Sequence, residues 1–305
     1  MDGVLVVDKP AGPTSHDIVD RARRVLGTRR VGHTGTLDPF ATGVLPLCLG
    51  RATRLARFLT AGEKAYRARL RLGFATTTDD LTGEPLGAPR EVDFSPSTLE
   101  SALAALVGDL DQVPPAFSAR QVGGQRLYEL ARRGEAVARA ASPVSVYALE
   151  LVSRGASTLE LDVRCSAGTY VRALARDLGE RLGCGAHLVS LRRTRSGGFG
   201  LENAVAGDSF VGAAERVIPL SGLLLDWPAV RVGPDGSRLV RHGRELQSHD
   251  VLSGFPASLV ERVRVLDERG DLLALAVARG FDPSASELPR RPVLHPDVVL
   301  LGPEA

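Results

Sequence analysis

The chain has 305 residues, 44% of them apolar and 24% charged, a globular composition with length enough for a sizeable core and two domains. No apolar run reaches the roughly eighteen residues of a membrane-spanning helix. The N-terminus, MDGVLVVDKP, lacks the basic flank and apolar length of a secretory signal. Three cysteines, Cys48, Cys165 and Cys184, form no C-x-x-C pair, which fits a reducing compartment rather than a disulfide scaffold. Membrane and disulfide-rich secreted classes are set aside, and a cytoplasmic protein is expected.

The net charge of +2 hides a segregation. Residues 1–80 carry a net +5 and residues 115–200 a net +6, whereas 81–114 carry −5 and 201–305 carry −4. Two basic blocks predict that a polyanion meets the first two-thirds of the chain. Lys9 and Lys64 are the only lysines; the remaining basic charge is arginine, whose planar fork suits phosphates and base edges. Cys184 and His187 make a C-x-x-H pair, but two ligands do not make a zinc site, so no metal or cofactor is expected.

Val4–Val7 predicts a buried strand ending in Asp8, Lys9 and Pro10. Thr14 or Ser15 caps a helix, along which Ile18, Val19, Ala22, Val25 and Leu26 recur at helical spacing until Gly27. Next comes GHTGTLDPFATGVLPLCLG, from Gly32 to Gly50. Its one carboxylate, Asp38, is restrained by Pro39, which pushes the residue before it out of the helical region. The loop then feeds an apolar strand from Val44 to Leu49. By itself such an Asp is an ordinary turn residue. A second helix is predicted from Gly50 to Leu59, with Arg51, Arg54 and Arg57 on one face.

Glu63–Phe74 is the clearest strand: Tyr66, Ala68, Leu70, Leu72 and Phe74 alternate with Arg67, Arg69 and Arg71. A turn-rich TTTDDLTG loop follows, then a surface helix over Ser95–Gly108. Leu159–Cys165 alternates as a further strand, and Thr169 is the predicted cap of a helix with Leu174, Leu178 and Leu182 on one face. Arg172 falls in its first turn, where the helix dipole disfavours a cation, so an acidic partner is expected. Towards the C-terminus, WPAVRVG and the hairpin RVRVLDERGDLLALAVARG suggest a small β-domain.

Several of these segments, VVDKPAGPTSHD, GHTGTLDPFATGVLPLCLG, KAYRARLRLG, TTTDDLTG, GTYVR and HLVSLRRT, resemble the motifs of the TruB family of pseudouridine synthases. The resemblance implies that Asp38 is the nucleophile, that Tyr66 stacks on the target uracil, and that Arg172 pairs with Asp38. It also implies that Tyr170 and Leu191 line the pocket and that His33 inserts where a flipped-out base had been. Lys9, Pro10 and Pro39 are expected as structural support. QVPPAFSARQVGGQRLYELARRGE, within an insertion at about 112–140, resembles the family's RNA clasp, with Phe117 and Gln121 in place of the usual Tyr and Lys. Arg120, Arg126 and Arg132 there, together with Arg51 and Arg54, are the candidate RNA contacts.

The implied fold is α+β. A mixed sheet flanked by helices forms a catalytic domain at 1–224, and a PUA or PUA-like RNA-binding domain occupies 225–305. The implied reaction is isomerisation of uridine 55 in the T-loop of tRNA, with the T-arm as partner. No membrane, no obligate protein partner and a monomer are expected. The alternatives are a guide-RNA-dependent synthase and a tRNA-folding chaperone without catalysis.

Overall fold

The apolar runs at the start of the chain become strands buried on both faces. β1 (Gly3–Lys9) pairs antiparallel with β3 (Thr42–Leu49), and the short β2 (Val31–His33) also pairs with β3. Leu5, Val7, Leu45 and Leu47 feed one core, while Val4, Val6, Val44 and Cys48 feed a second. Strands covered on both sides read as continuous hydrophobic runs, as these do. Between β1 and β2, α1 (Ser15–Val25) starts from a capping box: the Thr14 hydroxyl accepts from the Asp17 amide and the Asp17 carboxylate accepts from the Thr14 amide. It buries Ile18, Val19 and Ala22 in the first core.

This computed structural model describes residues 1–117, 121–122, 125–126, 133, 139–256, 262–281 and 292–301. After β3 the chain makes a 3₁₀ turn over Gly50–Leu55 and a short helix, α2 (Ala56–Thr60), instead of one continuous helix. β4 (Lys64–Leu72) alternates as its sequence predicts, burying Tyr66, Ala68, Leu70 and Leu72. The loop after it is closed by β5 (Ala75–Thr76) and β6 (Pro85–Leu86). α3 (Pro96–Ala104) starts at a Ser95 cap and leads to β7 (Gly108–Gln112). Within the insertion, β8 (Gln121–Val122) pairs with β9 (Gln125–Arg126). β10 (Ser142–Arg154) and β11 (Thr158–Cys165) pair antiparallel.

α4 (Val171–Arg181) precedes β12 (Ala186–Ser196). Three short strands, β13 (Phe199–Gly200), β14 (Val205–Ala206) and β15 (Ile218–Pro219), complete an eleven-stranded mixed sheet of main order β14-β1-β3-β12-β4-β11-β10-β7. Late in sequence but central in space, β12 positions the site. It runs parallel to the start of β3, with Arg193 opposite Gly43, and antiparallel to β4, with Arg193 opposite Tyr66.

A five-stranded sheet follows, ordered β17-β16-β18-β19-β20, from β16 (Ala229–Val232), β17 (Val251–Ser253), β18 (Val263–Leu266), β19 (Leu272–Phe281) and β20 (Pro292–Val299). α5 (Pro234–Arg241) follows β16. This sheet packs against the first. Leu266, Leu272, Leu275 and Leu300 share the second core with Val4, Val6, Val44 and Cys48. The Trp227 ring meets Phe58 edge-on, with centroids 5.5 Å apart.

Candidate active site

Four supports hold the loop that carries Asp38. Lys9, fully buried at the end of β1, donates from its ammonium to the carbonyls of Pro10 (2.9 Å), Pro39 (3.1 Å) and Ala41 (2.8 Å). The Gly12 amide donates to the Pro39 carbonyl at 2.8 Å. At the start of α1, the Ser15 hydroxyl donates to the Leu37 carbonyl and accepts from the Leu37 amide, at 3.1 and 2.9 Å. The Ala41 amide closes the turn onto the Asp38 carbonyl at 3.1 Å. Burial draws the Lys9 ammonium down to about 8, with Asp38 opposing and Arg193 reinforcing. Three carbonyl acceptors use all three ammonium protons.

Across the loop stands Arg172, in the first turn of α4. Its guanidinium grips Asp38 through two contacts, Nε to Oδ2 at 2.9 Å and Nη2 to Oδ1 at 3.1 Å, the bidentate geometry that makes such pairs strong. Its Nη1 donates to the Asp80 carboxylate at 3.2 Å and to the Thr78 carbonyl at 3.1 Å, and Nη2 also donates to the Phe117 carbonyl at 2.9 Å. The cation at a helix N-terminus thus has two carboxylate partners. Asp80 is itself fixed by the Thr78 hydroxyl and by the amide and hydroxyl of Thr82, at 2.6–2.9 Å. The cap of α4 is Tyr170 rather than Thr169. The Gln112 side chain holds the Tyr170 backbone from both sides, accepting from its amide and donating to its carbonyl.

These elements enclose a cavity of about 290 Å³, lined by Asp38, Tyr66, Tyr170, Arg172 and Leu191 together with Lys64 and Arg193. Burial pushes the Asp38 carboxyl above the ordinary carboxylate range; Arg172 pulls it back, Asp80 adds to the rise and Lys9 opposes it. Burial likewise pushes the Tyr66 phenol up, with Arg193 opposing. Five of the expected residues therefore meet in one pocket. His33 does not line it: it sits on β2 opposite Leu47, and among the described residues its buried Nδ1 has no hydrogen-bond partner. Burial, with Arg193 and His16, draws its imidazole below the usual value.

The candidate RNA contacts fare differently. Arg51 lies 3.7 Å from Asp2. Arg54 donates to the Val299 carbonyl, and its neighbour Arg57 pairs with Asp297 at 2.7 Å. This arginine row stays exposed to solvent while holding these partners, two of the three on the C-terminal sheet. Arg120 and Arg132 lie outside the described residues, as do the side chains of Arg126 and Gln121. Phe117 contributes its backbone carbonyl to Arg172. Cys184 and His187 are spent on the carbonyls of Gly185 and Phe74.

Residues 23–171 match the N-terminal domain of the TruB family of pseudouridylate synthases, and residues 172–217 match the C-terminal domain of tRNA pseudouridylate synthase B. The chain is 44% identical over 281 residues to tRNA pseudouridine synthase B of Solibacter usitatus (strain Ellin6076), spanning 90% of this chain and 95% of that protein. Over 291 residues it is 43% identical to the protein of the same name from Ralstonia nicotianae (strain ATCC BAA-1114 / GMI1000), spanning 91% of each. The chain belongs to the TruB family.

A solved H/ACA ribonucleoprotein bound to a substrate RNA containing 2′-deoxyuridine has a chain that superposes with a TM-score of 0.72 at 25% identity, covering 98% of this chain and 85% of that one. A Cbf5-Nop10-Gar1 complex contributes another at 0.72 and 26%, with the same coverage. Sequence reasoning placed the family's motif residues but missed Asp80, Gln112, Lys64 and Arg193. Each lies inside a segment that carries the resemblance, Asp80 in TTTDDLTG, Gln112 in QVPPAFSARQVGGQRLYELARRGE, Lys64 in KAYRARLRLG and Arg193 in HLVSLRRT, but the groups they face are distant in the chain.

Proposed function

We propose that this TruB-family enzyme converts uridine 55 in the T-loop of tRNA to pseudouridine, with Asp38 as the reacting carboxylate. The observation that carries the reading is the two-contact Arg172–Asp38 pair (2.9 and 3.1 Å) inside a pocket walled by Tyr66, Tyr170 and Leu191. Relatives at 43–44% identity named tRNA pseudouridine synthase B support the tRNA substrate. The reaction breaks the bond from ribose C1′ to uracil N1, turns the base and joins C1′ to C5, with one proton lost at C5 and one gained at N1.

Arg172 keeps Asp38 aimed at the ribose–uracil junction. The ring of Tyr66 faces the base, and Leu191 with Tyr170 retains it after detachment. The base enters flipped out of the folded loop, and His33 fills the gap it leaves. The five-stranded sheet acts as the PUA-like RNA-binding unit, beside the clasp at about 112–140. The chain works as a monomer in the cytoplasm and without protein partners.

An unmodified tRNA transcript incubated with the purified chain alone, then mapped for pseudouridine, tests this. Modification confined to the T-loop uridine is expected, and Asp38→Asn is expected to abolish it while tRNA affinity changes only a few-fold. Product appearing only after a guide RNA or a second protein is added would instead favour the guide-dependent alternative.

A further inference from the structure

Two cations in the pocket have no carboxylate. Arg193 on β12 is 1% exposed and Lys64 at the start of β4 is 4% exposed, and among the described residues neither lies within ion-pair distance of an acidic side chain. The Arg193 guanidinium donates to the carbonyls of Val44 (2.7 Å), Gly35 (3.0 Å) and Thr36 (3.5 Å). The Lys64 ammonium donates to those of Thr60 (2.9 Å) and Gly62 (2.8 Å), which among the described residues leaves one of its three protons uncommitted. Both line the cavity that holds Asp38.

The two heads converge beneath the Asp38 loop: a Cβ placed on Gly35 would lie 3.5 Å from Arg193 Nη1 and 4.0 Å from Lys64 Cε. Carbonyl dipoles orient a cation but do not neutralise it, and an unpaired buried charge is costly. Arg172, equally buried, has Asp38 and Asp80. Loop support is an insufficient reason for the extra charge, since Lys9 and Ser15 already provide that support. With Arg172, the cavity lining carries three cations to one carboxylate.

Resting on the functional reading above, we propose that Arg193 and Lys64 stabilise the negative charge that the uracil acquires when it leaves the ribose. As the C1′–N1 bond breaks, its electron pair goes to N1, and the uracil becomes an anion with charge spread over N1, O2 and O4. An oxygen of the Asp38 carboxylate supplies the pair that bonds to C1′. One unit of negative charge therefore moves from the Arg172 side of the pocket to the base. When C5 then attacks C1′, the Asp38 carboxylate is released, the C5 proton is lost and N1 takes one up, which restores the starting charges. Cations fixed where charge develops stabilise that state without reorganising. Two cations beside a delocalised anion also hold it while it turns.

Single-turnover measurements on tRNA transcripts containing either uridine or 5-fluorouridine test this. Fluorine at C5 stabilises the leaving anion, so a defect in anion stabilisation shrinks on the fluorinated substrate. Arg193→Gln and Lys64→Gln are each expected to slow N-glycosidic bond loss by about a hundredfold with uridine. The defect should be at least tenfold smaller with 5-fluorouridine. Tight binding and its salt dependence should stay as in the wild type, and Arg193→Lys should recover part of the rate. Equal defects on both substrates, with weaker binding and a flatter salt slope, would mean that these cations hold a flanking phosphate; that overturns the proposal. So would wild-type rates. If Arg193→Gln does not fold by circular dichroism, Lys64→Gln alone decides between these outcomes. Failure of the wild type on uridine-containing tRNA would overturn the functional reading and the proposal together.

Discussion

At Asp38, burial and the Arg172 guanidinium act in opposite directions, and burial is the larger effect. With the folded carboxyl above its unfolded value, the native state holds that proton more tightly than the unfolded chain does. The stability Asp38 contributes is therefore fully present below the ordinary carboxylate value of about 3.9 and is lost as pH rises through the raised one. Asp38→Asn is accordingly expected to melt at pH 7 at or above the wild-type temperature, by calorimetry. A fall of more than about 4 °C, on the order of 2 kcal/mol for a chain this long, would show that the ion pair outweighs burial. Wild-type kcat/KM should fall on the acid side with an inflection above 3.9 if Asp38 reacts in its ionised form, as proposed; an inflection at or below it would place Arg172 in control. Asp80 is the second residue to examine. Removing one partner of a buried pair costs about 3–5 kcal/mol, so Asp80→Ala should lower stability by that order in urea unfolding and lower kcat as Arg172 loses its anchor. Wild-type kcat in a folded Asp80→Ala protein would reduce Asp80 to a loop residue.

At the scale of elements, the passage of β3 beside β12 allows almost no room. A Cβ on Gly43, whose φ is 102, would come 2.1 Å from the Arg193 carbonyl oxygen, which is backbone and cannot step aside. Only glycine combines that φ with that approach. Gly43→Ala should therefore part the two strands at the point that aligns the Asp38 loop with Arg193 and Tyr66. A loss of about 2 kcal/mol or more in urea unfolding is expected, with kcat falling more than the affinity for tRNA. An unchanged kcat would show that strand spacing here does not set the pocket.

For the whole molecule, the second core joins the two sheets. Val4, Val6, Val44 and Cys48 pack with Leu266, Leu272, Leu275 and Leu300, and the single tryptophan, Trp227, sits at the junction against Phe58. Burial at such a seam couples the two units. Urea unfolding followed by Trp227 fluorescence and by far-ultraviolet circular dichroism should give one coincident transition. A Trp227 transition that precedes the main loss of secondary structure would show the C-terminal sheet opening alone. Removing residues 225–305 would expose Val4 and Val6 to solvent, so such a fragment is expected to self-associate on gel filtration.

What the sequence determined by itself was local. A helix cap at Thr14 or Ser15, the alternation of β4 and the restraint of Asp38 by Pro39 arise within a few residues, so periodicity and turn chemistry exposed them. The resemblance to the family's motifs implied the roles proposed for Asp38, Tyr66 and Arg172. Tertiary structure decided the rest, because the deciding partners are distant in the chain. Arg172 reaches Asp38 across 134 positions and Asp80 across 92. Arg192 and Arg193 are neighbours with opposite fates: the first meets Asp8 at the surface, while the second turns inward onto the carbonyls of the Asp38 loop. A strand sends successive side chains to opposite faces, but which face is pocket and which is solvent is set by the strands beside it. The row Arg51, Arg54 and Arg57 reads in the sequence as one helix face, and only the fold shows that the C-terminal sheet, more than two hundred residues later, supplies Val299 and Asp297 as partners of Arg54 and Arg57.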